Sequence, residues 1–195
     1  MLTDKLKGYN IILASGSPRR KQFFEDMGIP FEIRLKEVEE VYPVSLKASQ
    51  ISDYLSQLKA SAFDGTLTEN DILITSDTVV WHNEKSLAKP DGYKEAHDML
   101  RHLSDDWHDV ITSVTFTTNT SQKTVNHTTK VKFKPLTENE ICFYVENYRP
   151  FDKAGGYGIQ EWIGLIGIEE IQGAYTNVVG LPTQLVYKTL MNMVV

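Results

Sequence analysis

The chain has 195 residues, 41% of them hydrophobic, and a formal net charge of -6, which suits one substantial core or two lobes sharing a sheet, so a single folded unit over residues 1–195 is expected. The acidic balance argues against a binder of nucleic acid polymers. No apolar run approaches the ~18 residues of a membrane span, and Met1-Leu2-Thr3-Asp4-Lys5 lacks the apolar stretch of a signal peptide, so no membrane association and a cytoplasmic location are expected.

Ile11-Ile12-Leu13-Ala14 reads as a strand, and Ser15-Gly16-Ser17-Pro18-Arg19-Arg20-Lys21 after it opens a helix that runs to Met27 and stops at Gly28. Phe23, Phe24 and Met27 give that helix its buried face. Ser17 is a good N-cap and Pro18 a good first residue, but three cations on the positive end of the helix dipole cost roughly 0.3 to 1 kcal/mol each. No Glu or Gln completes a capping box, which leaves the terminus open to an anion such as a polyphosphate. Phe31 to Leu35 alternates as a half-buried strand, and the acidic loop Glu37-Val38-Glu39-Glu40 follows. A second helix carries the stripe Ile51, Tyr54, Leu55, Leu58 and Ala62, with Lys59 at its edge, where it can reach into a cleft.

Ile72 to Trp81 is a nearly continuous β-type run, the pattern of a central strand buried on both faces. A turn around His82 to Lys85 leads to Leu87-Ala88-Lys89-Pro90, and Asp91 is the expected cap of a helix with Ala96, Met99, Leu100 and Leu103 inside. Val110 to Thr118 and Thr124 to Phe133 form a hairpin pattern, and Thr137-Glu138-Asn139-Glu140 is a capping box opening a helix that Arg149-Pro150 ends. The glycine-rich stretch Phe151 to Gln160 allows close backbone approach to a ligand. A strand near Trp162 to Ile168, the segment Asn177 to Pro182 and a last helix complete the chain. Strands interleaved with helices, plus a hairpin, predict an α/β fold with a mixed sheet.

Asp77 interrupts the central strand, where an unpaired carboxylate costs several kcal/mol of desolvation unless cations or hydrogen bonds compensate. Glu39 and Glu40 lie in a loop that can approach it, and carboxylates with open water positions hold Mg²⁺ or Mn²⁺ for phosphate chemistry. Arg19, Arg20, Lys59, Lys89 and Lys153 together can neutralise a triphosphate. The five histidines show no metal-ligand spacing. Cys142 is the sole cysteine, which excludes an intramolecular disulfide, and with no basic neighbour in its helical pattern it reads as packing. Ser15 and Ser17 lack the Gly-x-Ser-x-Gly context of a covalent serine enzyme and fall with the anion site instead.

Ser15 to Arg20, Ser76-Asp77-Thr78-Val79-Val80, Ala88-Lys89-Pro90, Phe151 to Gln160 and Asn177 to Pro182 together resemble the Maf family of nucleoside triphosphate pyrophosphatases, in the family's order and over nearly the whole chain. The resemblance implies an elongated mixed-sheet α/β fold related to inosine triphosphatases, two lobes around a substrate cleft, and commonly a homodimer. It also implies hydrolysis between the α and β phosphates with a divalent metal, Mg²⁺ or Mn²⁺. Carried over by residue, the proton acceptor falls on Asp77, the phosphate ligands on Arg19, Arg20, Lys59 and Lys89, and metal assistance on Glu39 or Glu40. The substrate-discriminating positions fall on Arg19, Thr78 and Gln160, a combination similar to the subgroup that acts on dTTP and UTP. Gln160 offers both a donor and acceptors to the imide edge of thymine or uracil. Glu161 stands where many members continue with glycine. Two other functions stay open at this point: clearance of other modified nucleotides, and a non-catalytic nucleotide sensor linked to septum formation.

Overall fold

A computed structural model describes residues 1–194. Helix α1 (Leu2–Lys5) precedes β1 (Asn10–Leu13), α2 (Pro18–Asp26), β2 (Glu32–Ile33), α3 (Ser49–Ser61), β3 (Asp71–His82), β4 (Lys85–Leu87) and α4 (Tyr93–Leu103). The hairpin of β5 (Trp107–Thr117) and β6 (Gln122–Phe133) follows, then α5 (Glu138–Tyr148), a 3-10 turn at Ala154–Gly156, α6 (Trp162–Gly167), β7 (Ile168–Gln172), α7 (Tyr175–Val179) and α8 (Thr183–Met193). The strands form one mixed sheet in the order β2-β1-β3-β5-β6-β7, with β4 also on β3. Strand β1 pairs in parallel with β2 and β3, and the other pairs are antiparallel among the described residues. This is the mixed α/β architecture that the interleaved pattern predicts.

Strand β3 organises the molecule. Its apolar residues have partners on both faces: Ile72 and Ile74 join Ile11, Leu13, Phe24, Phe116 and Leu190 in one core, while Leu73 packs with Ile12, Ala60 and Phe63 on the other side. Fully burying one such side chain contributes about 1.5–3 kcal/mol. Farther along, Val80 packs with Val110 and Val131. The core of α4, α5 and α6, built on Ala96, Leu100, Tyr144, Val145 and Ile163, shares Leu87, Ile168 and Val178 with that group. The two lobes therefore grow from opposite ends of one strand, which at ~3.3 Å per residue is about 40 Å long.

The cleft comes from the pairing of β3. One edge is covered by β5 from Leu73 to Trp81. On the other edge, β1 leaves after Leu13↔Ile74 and β4 arrives only at Val80↔Leu87. Between these points, among the described residues, the edge of β3 carries no strand, and Ser76, Asp77 and Thr78 lie there.

Three local expectations are corrected. Residues 162–167 are helix, and strand pairing begins only at Ile168; an apolar run of this length carries no periodicity to separate the two. Gly164 permits the helix, since a Cβ there would lie 1.8 Å from the Ile159 carbonyl oxygen. The strand expected over Phe31 to Leu35 shrinks to Glu32–Ile33 at the sheet edge, and Ile33 and Leu35 are exposed because no element covers them. The N-cap of α4 is Gly92 rather than Asp91, whose N–H is taken by the Glu95 carboxylate at 2.7 Å. Among the described residues, no helix is long and apolar enough to cross a membrane.

Candidate active site

A cleft of about 670 Å³ opens over the bare edge of β3, a size suited to a small molecule. Six cationic side chains (Arg19, Arg20, Lys36, Lys59, Lys89, Lys153) and three carboxylates (Glu40, Asp77, Asp152) line it, in a chain of net charge -6. Positive charge is thus concentrated where an anion would sit. Ser15, Ser17, Thr78 and Gln160 line the same cleft; Glu39 does not.

Alternation along β3 sends Asp77 toward α3 and Thr78 toward α2 and α7. Lys59, in the last turn of α3, places its ammonium 2.6 Å from Asp77 Oδ1 and 3.0 Å from Glu40 Oε1. The Lys59 and Asp77 side chains are only 19% and 10% exposed. Burial pushes the Asp77 carboxyl above its ordinary value, with Lys59 and Arg20 pulling the other way. Burial also raises Glu40, but Lys59, Lys89 and Arg20 outweigh it and hold Glu40 below the usual carboxylate range. The point on which the two carboxylate oxygens converge is held by the Lys59 ammonium; carboxylate oxygens are the donors a hard divalent cation takes, and these two fit one only where that ammonium has moved aside.

Arg20 is bound to the protein through most of its fork. Nε donates to Gly180 O at 2.9 Å, Nη1 to Ser76 O at 2.9 Å and Ser15 Oγ at 3.4 Å, and Nη2 to Thr78 Oγ1 at 3.1 Å. Burial pushes its guanidinium below the ordinary value, and Asp77 pulls it back. Thr112 donates to Asn177 O at 3.1 Å, so the 3.0 Å contact between the two threonine hydroxyls takes its proton from Thr78. With its proton given away and one lone pair taken by Arg20, Thr78 presents an acceptor to a ligand.

Ser15 Oγ accepts the Ser17 N–H at 3.3 Å, and Ser17 Oγ accepts the Arg20 N–H at 3.5 Å as N-cap of α2. Both hydroxyls therefore use their oxygens inside the loop, and neither donates to another described residue. No acid stands in the first turn of α2. Lys89 is exposed at the cleft and has no ion-pair partner among the described residues.

On the opposite wall, Arg19 Nη1 lies 3.5 Å from Asp152 Oδ2, and Lys153 Nζ bridges Asp152 Oδ1 at 2.7 Å and Glu161 Oε1 at 3.0 Å. The other Glu161 oxygen accepts from the Tyr144 hydroxyl. Burial and that carboxylate push the Tyr144 phenol well up. Asp152 and Tyr144 were not visible as site residues in the sequence; the one signal for this network was the glutamate directly after Gln160.

Away from the cleft, His97 Nε2 meets Glu138 Oε1 at 2.7 Å, and Cys142 lies beside them. Cys142 thus has a basic neighbour after all, because α4 packs on α5 and supplies one from far along the chain. Arg101 already holds both Glu138 oxygens at 2.9 Å.

The sequence profile described as "Maf-like protein" matches residues 10–193. A protein of Flavobacterium johnsoniae named dTTP/UTP pyrophosphatase is 55% identical over 194 residues, covering 100% of both chains. One of the same name from Christiangramia forsetii is 56% identical over 193 residues, covering 99% of this chain and 98% of its own. Among solved structures, the Staphylococcus aureus Ham1 protein matches in fold with a TM-score of 0.51 at 15% identity, over 94% of this chain and 99% of that one.

Proposed function

Since the chain belongs to the Maf-like family, we propose that it hydrolyses dTTP and UTP to the nucleoside monophosphate and pyrophosphate. The observation that carries this reading is Asp77, a buried carboxylate set in the bare edge of β3 with Lys59 and Arg20 about it and a cation-lined cleft in front.

The triphosphate lies against the start of α2, where backbone N–H groups and the Ser15 and Ser17 hydroxyls donate to it. Lys59 and Lys89 balance its charge, and developing negative charge on the phosphates meets groups already in place. Asp77 holds the attacking water opposite the α phosphorus and takes its proton; burial, which raises this carboxyl, makes it a better acceptor than an exposed aspartate. Asp77 and Glu40 would hold Mg²⁺ or Mn²⁺, an ion that polarises phosphate oxygens when bound. Arg19, Thr78 and Gln160 meet the base, Thr78 as an acceptor. The enzyme acts in the cytoplasm, where free nucleoside triphosphates are found, and as a homodimer, which light scattering on the purified protein tests.

The deciding experiment incubates the protein with dTTP, UTP, CTP, ITP and 7-methyl-GTP plus Mg²⁺ or Mn²⁺ and separates the products by anion exchange. Monophosphate and pyrophosphate should form from dTTP and UTP and be lost in Asp77→Asn. Cleavage of the other nucleotides alone refutes the base assignment in favour of clearance of modified nucleotides. Binding of dTTP without cleavage of any nucleotide refutes the enzyme in favour of a sensor linked to septum formation.

A further inference from the structure

Helices α4 and α5 share a core through Ala96, Leu100, Ile141 and Val145, and a polar cluster outside the cleft joins the same two helices. Glu138 and Cys142 stand four residues apart on α5, which puts both side chains on one face of that helix. His97 reaches them from α4, and one ligand atom from each of the three lies within 4.8 Å of the other two. His97 Nε2 is 2.7 Å from Glu138 Oε1, and the His97 side chain is only 11% exposed. Its ring lies against Tyr93, with centroids 6.0 Å and planes 20° apart, and its other nitrogen faces Asp98 Oδ1 at 3.8 Å. The imidazole is thus held with Nε2 aimed at a carboxylate and a thiol.

Imidazole, carboxylate and thiolate are the protein ligands of zinc, at about 2.0–2.2 Å for nitrogen and oxygen and about 2.3 Å for sulfur. Tetrahedral angles then put nitrogen and oxygen about 3.3 Å apart, and nitrogen and sulfur about 3.6 Å apart. The 2.7 Å contact must therefore widen by about 0.6 Å, which the Glu138 side chain, 56% exposed, is free to do. Arg101 does not block this. It donates through Nη2 to both Glu138 oxygens at 2.9 Å, and each carboxylate oxygen keeps a second lone pair. Its hydrogen bonds orient the carboxylate, as the partners of metal ligands do. Sulfur separates this cluster from Asp77 and Glu40 in the cleft, because a thiolate selects a softer ion than Mg²⁺ or Mn²⁺.

We propose that His97, Glu138 and Cys142 form a second metal site, selective for Zn²⁺, which clips α4 to α5 with water as the fourth ligand. Starting from the ion-paired imidazolium, the ion replaces the proton between His97 Nε2 and Glu138 Oε1 and the thiol proton of Cys142, and both protons leave to solvent. His97 keeps its remaining proton on Nδ1, toward Asp98. Spacing within the sequence does not announce this site, because the histidine comes from a different helix.

The test titrates Co²⁺ into the reduced, metal-free protein with Mg²⁺ in excess and follows the sulfur-to-cobalt charge-transfer band in the near ultraviolet. Cys142 is the sole cysteine of the chain, so the band reports this site and not the cleft. It should saturate at one Co²⁺ per chain, bleach when Zn²⁺ is added, and be absent from Cys142→Ser. His97→Ala and Glu138→Gln should each weaken Co²⁺ binding about tenfold or more. No band at about 1 mM Co²⁺ overturns the site. Saturation at one Co²⁺ per two chains does so too, since it assigns the thiolates to a contact between copies. A band that Zn²⁺ does not bleach overturns the choice of ion. Should His97→Ala fail to fold, Glu138→Gln decides alone: Glu138 is exposed, and unchanged Co²⁺ affinity in that variant refutes the three-ligand set.

Discussion

Replacing Lys59 by methionine, in metal-free buffer with a chelator, leaves Asp77 buried beside Glu40 without the ammonium that bridges them at 2.6 and 3.0 Å. Breaking a buried pair from one side costs about 3–5 kcal/mol, but Asp77 has an escape, since it can take up a proton. The cost of the lone charge is therefore capped by the free energy of protonating an ordinary carboxylate, about 4 kcal/mol at pH 7 and about 1.5 kcal/mol at pH 5. The sign follows from linkage. Burial already raises Asp77 in the folded protein, and losing Lys59 raises it further, so the native state binds more protons than the unfolded one. Stability of the variant then falls as pH rises from the unfolded carboxylate value through the new folded value. Urea unfolding of both proteins between pH 5 and pH 8 measures this. The loss should grow with pH, and Lys59→Met/Asp77→Asn should recover most of it at pH 8. A loss of equal size at pH 5 and pH 8, or no recovery in the double variant, refutes the premise that Lys59 compensates a buried charge.

Three further outcomes are expected. Arg20→Lys keeps the charge but not the fork that reaches Gly180 O, Ser76 O and Thr78 Oγ1, so it should lose about 3 kcal/mol by chemical denaturation, and wild-type stability would show the fork to be dispensable. Gly164→Ala puts a methyl 1.8 Å from Ile159 O; it should cost about 3 kcal/mol or more and lower Tm by roughly 6–12 °C, and an unchanged melt would mean that α6 is not seated there. Glu40→Gln should weaken Mn²⁺ binding about tenfold by titration calorimetry, while Glu39→Gln, outside the cleft, should not. Because Glu40 is held below the usual range, its stabilising pairing is present above about pH 4.5 and lost as pH falls through the folded value, so the stability difference from Glu40→Gln should vanish in acid.

What was legible in the chain was whatever a short window encodes. The run into β3 with Asp77 inside it, the Thr137 to Glu140 capping box, which forms as predicted, and Lys59 at the edge of its helical stripe all announce themselves within a few turns. That Glu40 and not Glu39 lines the cleft was not legible, because they differ by one residue of loop and the Lys59 that Glu40 meets stands on α3. Residues 162–167 were ambiguous because an apolar run fits either element, and the contact that selects helix, Gly164 on Ile159, is a matter of backbone approach. Asp152 and Tyr144 gain meaning only once α2, α5 and the glycine-rich turn meet.

The basic first turn of α2 was the strongest anomaly in the sequence, and its three cations turn out to have three separate destinations. Arg20 binds carbonyls 160 and 56 residues away, Arg19 faces Asp152, and Lys21 pairs with Glu25 at 3.5 Å one turn along the helix. The dipole penalty on each is thus offset by its own partner. What leaves the helix terminus open to an anion is the missing acid and the two serine hydroxyls with protons to give, not the cations themselves. Under the proposed function, the charge for a polyphosphate would come from Lys59, which sits between Glu40 and Asp77, and from Lys89, which lines the cleft and has no ion-pair partner among the described residues. Lys89→Ala should accordingly raise KM for the triphosphate more than Arg19→Ala does, whereas Arg19→Ala should act on the choice of base.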